Sequence, residues 1–172
     1  MGERTNKRRL KMKRLMCCLL LSMCAFAAQA QNIPDTITLF GYTLKCDGQV
    51  VGKKGELGRR QDALKINCSL PNETANNRLH IDITTFGVEA KPTIQQMENI
   101  LNKISGKEDE KYTFSCPGTN NIVGGHIHSS SFPSEFIILD TPTFTASIDH
   151  TITQHMFSSK SYLNQLCQWK PW

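Results

Sequence analysis

Long apolar runs are scarce in this chain of 172 residues. The one extended run, Leu15 to Ala27, falls short of the ~20 residues that a membrane-spanning helix needs. There is no G-x-S-x-G turn to present a serine nucleophile and no G-x-x-x-x-G-K-[ST] loop to cradle phosphates. No C-x-x-C pair of the kind zinc sites use is present. Aromatic residues make up 8%, and none interleaves with the basic stretch at residues 53–60, so base stacking has no platform there. The hydrophobic share of 39% excludes both a disordered tail and a multi-span membrane protein.

The first thirty residues have the three parts of a secretory signal. A basic segment (Arg4, Lys7, Arg8, Arg9, Lys11, Lys13, Arg14) precedes the short apolar run, and Ala28-Gln29-Ala30 supplies small residues for cleavage before Gln31. The expected organisation is a signal peptide over 1–30 and a single domain over 31–172. The formal charge of +5 belongs to the precursor. Seven of the 20 Lys/Arg and one of the 15 acids lie in residues 1–30, so the remainder carries 13 bases against 14 acids, a net −1. A general electrostatic case for nucleic acid therefore disappears.

Three of the seven cysteines also lie in the leader. Cys46, Cys68, Cys116 and Cys167 remain, an even set that reads as two disulfides in an oxidising compartment. Of the three pairings, Cys46–Cys68 with Cys116–Cys167 is favoured, and the other two stay open at this level. The chain is thus expected to be periplasmic or secreted, with no stable transmembrane segment once the leader is cleaved.

Alternation of apolar and polar residues marks strands at Thr36–Leu44 (bulged or bent at Gly41), Ala63–Leu70, Arg78–Phe86 and Tyr112–Cys116. More follow at Asn121–Ser129, Phe136–Leu139 and Thr143–Thr153. Asp47 to Gln61 reads as a glycine-rich connection. One helix is well specified: Thr93-Ile94-Gln95-Gln96 fits a capping box, Ile94, Met97, Ile100, Leu101 and Ile104 form one stripe, and Gly106 stops it. The acidic run Glu108-Asp109-Glu110 after it reads as a solvated loop. Ser161–Trp169 suits a short terminal helix. The expected fold is α+β: a mainly antiparallel sheet, a central helix and a short C-terminal helix, with the helices on one face.

Histidines carry the most suggestive chemistry. His126-Ile127-His128 on a strand puts two imidazoles on one face, and His150 is the nearest candidate third member, with His155 as its rival. Glu135, Asp140 and Asp149 could add oxygen ligands to such a divalent-metal site. His150 lies between Ile148 and Ile152, on the apolar side of its strand. Lys53, Lys54, Arg59 and Arg60 form a basic, glycine-spaced loop suited to an anion or an acidic partner. Ser129, Ser130 and Ser131 beside His128 read as a polar turn. Asn67 and Asn72 head N-x-[ST] sequons.

The leading expectation is a small exported protein that binds a macromolecular partner without catalysis and needs no cofactor: an inhibitor, an immunity-type protector or an envelope assembly factor. The alternative is a metal-binding or metal-dependent hydrolytic protein using the histidines.

Overall fold

A computed structural model describes residues 33–50, 62–86, 91–128, 133–151 and 159–171, all within one compact unit. Residues 1–32, which include the expected signal peptide, the basic loop with Lys53, Lys54, Arg59 and Arg60, Ser129 to Ser131, and His155 lie outside the described residues.

Eight strands form one antiparallel sheet. In chain order they are β1 (Thr36–Leu39), β2 (Tyr42–Val50), β3 (Asp62–Ser69), β4 (Leu79–Phe86), β5 (Glu110–Ser115), β6 (Ile122–His128), β7 (Ser134–Asp140) and β8 (Phe144–His150). Helix α1 (Ile94–Ile104) joins β4 to β5, and α2 (Lys160–Gln168) follows β8. The spatial order is β1-β2-β3-β4-β8-β7-β6-β5. Two four-stranded meanders, each followed by a helix, therefore meet along β4 and β8. The fold is the expected single-domain α+β architecture with a central helix, a short C-terminal helix and two disulfides.

The expected bent strand Thr36–Leu44 is instead a tight hairpin. Phe40 and Gly41 both take positive φ, 50° and 84°, and Leu39 pairs with Tyr42. Positive φ at both central positions gives a turn whose twist matches that of the flanking strands. Phe40 adopts this unusual backbone with its ring packed edge-on against Tyr162 of α2, 5.0 Å between centroids. The expected loop from Asp47 is also shorter at its start, because β2 runs on to Val50.

One face of the sheet carries a continuous core. Ile37, Leu44, Cys68, Ile81, Ile148, Ile137 and Val123 lie on it and join Leu163, Leu166 and Cys167 of α2. Seven strand spacings of ~4.8 Å would place the edge strands about 34 Å apart in a flat sheet. Yet α2 reaches both edges. Cys167 is disulfide-bonded to Cys116, just past β5, and the indole of Trp169 donates to the Thr38 carbonyl in β1 at 3.0 Å. Cys167 and Trp169 are only two residues apart, a reach of about 7 Å. The sheet is therefore rolled, with the core face inside and α2 closing the seam between β1 and β5.

Helix α1 lies on the opposite face, against Ile122 and Ile138 through Met97 and Leu101. The expectation of both helices on one face is corrected. Residues adjacent along β6 and β7 point to opposite sides, so Val123 meets α2's cluster while Ile122 meets α1. Gly124 permits the close approach, since a methyl group there would run into Met97. The start of α1 is as expected: Thr93 accepts from the Gln96 amide through its hydroxyl at 3.2 Å. Thr93→Ala is expected to cost about 1 kcal/mol, read as a shift in the chemical denaturation midpoint.

The disulfides pair as favoured. Cys46 and Cys68 are direct cross-strand partners in β2 and β3, and Cys116–Cys167 anchors α2.

Candidate functional site

The structure separates the histidines that the sequence grouped. His126 and His128 are on β6, on the face shared with α1, where Phe136 is the cross-strand partner of His126. Directly paired residues share a face of the sheet. His126 pairs with Phe136 and Phe136 with Asp149, so Asp149 lies on that same outer face. His150, the next residue along β8, therefore points inward, on the side of Ile148. The expected convergence of His126, His128 and His150 is corrected by this register.

On the inner face, buried His150 and Glu135 form a polar triad with half-buried Tyr112. His150 Nε2 donates to Glu135 Oε2 at 3.1 Å, and Tyr112 Oη donates to Glu135 Oε1 at 2.6 Å. The Glu135 and His150 side chains are 0% and 2% exposed. Three strands, β5, β7 and β8, each supply one member. Gly125 makes room for it, because a methyl group there would strike the Tyr112 ring. Burial, followed by the charge of Glu135 and the hydrogen bond to it, holds the Tyr112 hydroxyl well above the ordinary tyrosine value of 10.0. Tyr112 is therefore a permanent donor across the physiological range.

A group whose proton is held more tightly in the fold than in the unfolded chain stabilises the fold fully below its unfolded value. That stabilisation is lost as pH rises further. Tyr112 is thus expected to reduce stability above pH 10 by about 1.4 kcal/mol per pH unit. Alkaline denaturation series should show this slope in the wild type and a shallower one in Tyr112→Phe.

On the outer face, the turn after α1 turns a carboxylate inward. The sequence suggests a solvated acidic run around Asp109, but its side chain is only 4% exposed. Its Oδ2 accepts from the Gly106 amide at 2.6 Å, and its Oδ1 from His128 Nδ1 at 2.8 Å. His126 Nδ1 lies 3.0 Å from Oδ2. The hydrogen bond from His128, then that from Gly106, holds the Asp109 carboxyl below its usual value, against the opposing effect of desolvation.

These three side chains border a cleft of about 510 Å³ whose other walls include Ile104, Phe136, Arg78 and Asp149. Phe136 packs against the His126 ring at 5.6 Å, and Ile104 is 46% exposed. Arg78 is bound to Asp149 at 2.9 and 3.0 Å. Of the other oxygen candidates, Asp140 accepts from the Thr145 hydroxyl and stands apart from this cluster. Asn67, heading the first sequon, donates to Asp82 and contacts His80, whereas Asn72 lies in an exposed turn.

Sequence reasoning missed Asp109 and Tyr112. The adjacent glycines Gly124-Gly125 were the available signal, since glycines inside a strand mark close approach, here on both faces. Among the described residues, no group of three or more His, Cys, Asp or Glu side chains is placed to enclose a metal ion. No protein-family model, curated protein or solved structure matches the chain.

Proposed function

We propose that this chain is exported, loses residues 1–30, and acts as a non-catalytic binding protein on a macromolecular partner in the envelope or outside the cell. Two disulfides fit an oxidising compartment, and among the described residues no helix is long and apolar enough to cross a membrane. One observation carries the binding reading: the cleft at the end of α1. Exposed Ile104 and half-buried Phe136 supply apolar surface there, and Arg78, Asp149 and His128 supply a polar rim. An apolar centre with a polar surround is the anatomy of a protein interface.

A photo-crosslinking residue at position 104, with a control at exposed Asn164 on α2, tests the reading in the native envelope. A single defined adduct from position 104 alone is expected, and Ile104→Asp should weaken partner binding at least about tenfold. Equal adducts from both positions, or none from position 104, would overturn it.

A further inference from the structure

We propose that Asp109, His126 and His128 form a binding site for one divalent d-block cation of the zinc class. Two imidazoles and a carboxylate are a ligand set such ions favour, and the neighbouring cleft leaves coordination positions open to water or a ligand. The side chains already crowd one another. The imidazole nitrogens lie 2.8 and 3.0 Å from the Asp109 oxygens. Ligand atoms on a tetrahedral ion with bonds of ~2.1 Å are about 3.4 Å apart, so the set has to open by roughly half an ångström to admit one.

The second observation is His126 Nδ1. It is buried and makes no hydrogen bond, despite lying 3.0 Å from Asp109 Oδ2. The distance is short enough, so the ring's orientation is what denies the bond. A buried nitrogen without a hydrogen bond costs free energy that coordination would recover. The nearby cation Arg78 is held against Asp149, which limits its repulsion of an incoming ion.

As placed, the three side chains do not yet surround one point. His128 is the member that closes the set, because its side chain is 57% exposed and can change rotamer without repacking the core. His150 takes no part. The site borders the cleft of the partner reading, but its test uses only the chain and the metal, so either can fail without the other.

The test is titration of the full chain with Zn²⁺, followed by calorimetry and by the ring nitrogen signals of the histidines. One site per chain is expected, with the His126 and His128 rings shifting together. His128→Ala and Asp109→Asn should each weaken binding at least about tenfold, while His80→Ala leaves it unchanged. His128 is exposed, so His128→Ala preserves the fold and keeps the test decisive even if His126→Ala does not fold. Absence of binding at millimolar Zn²⁺ would overturn the proposal. So would binding that survives both His128→Ala and Asp109→Asn, which would place the ion elsewhere on the chain.

Discussion

Replacing Glu135 with alanine is expected to destabilise the protein by about 3–5 kcal/mol, through lost hydrogen bonds and the void left behind. Glu135 joins Tyr112 and His150 across three strands on the inside of the rolled sheet. Its removal leaves the half-buried Tyr112 hydroxyl without its acceptor and takes one from the buried His150 ring, at a desolvation cost. It also leaves a small void where the side chain lay. Chemical denaturation should show a lower midpoint at unchanged slope. A loss below about 1 kcal/mol would mean that the triad contributes little beyond ordinary surface hydrogen bonds. Glu135→Gln keeps the volume and one acceptor, so a smaller loss is expected there. The comparison separates polar satisfaction from packing.

The second large effect concerns Cys116–Cys167. The bridged residues are 51 apart in sequence, against 22 for Cys46–Cys68. Restricting the unfolded chain gives roughly 4 kcal/mol for the longer loop and roughly 3 kcal/mol for the shorter. The Cys116→Ser plus Cys167→Ser double variant should therefore lose more stability than its Cys46→Ser plus Cys68→Ser counterpart. The structure adds a reason beyond chain entropy: the longer bridge anchors α2, the helix that closes the seam between β1 and β5. Exposure of the inner face should follow its loss, read as faster amide exchange in β1 and β5 than in β4 and β8. An equal loss from both pairs, with uniform exchange, would argue against this role for α2.

Much of the fold was legible in local patterns. Leu64, Ile66 and Cys68 alternate with polar residues because only one face of β3 is covered, and a one-sided strand writes that period into its sequence. The helix beginning after Thr93 was legible through its cap and its stripe. The continuous run Phe136–Leu139 was equally informative, because β7 is covered on both sides: Ile137 and Leu139 face the α2 cluster and Ile138 faces α1. That run implied helices on opposite faces, which the expectation of one shared face overlooked. The Phe40–Gly41 hairpin was missed because phenylalanine is an unusual residue at positive φ, and its support comes from Tyr162, far along the chain in α2.

The candidate site was less legible, for a reason that lies in the parity of strand pairing. His126 and His128 share a face by their own spacing, which the sequence states outright. Whether His150 joins them depends on the register between β6, β7 and β8, where a shift of one residue exchanges the faces. Asp109 was hidden for a different reason: between Glu108 and Glu110 it resembles any solvated acid, and only the turn after α1 draws it onto β6.

The amino-acid sequence by itself determined most of the secondary elements, the central helix and its cap, and the even set of four cysteines outside residues 1–30, because each is written in neighbouring residues. The tertiary structure alone decided the rolling of the sheet, the closure of its seam by α2, and the division of the histidines between the inner triad and the outer cleft. Those depend on register and on contacts between residues far apart in the chain, which no local pattern encodes.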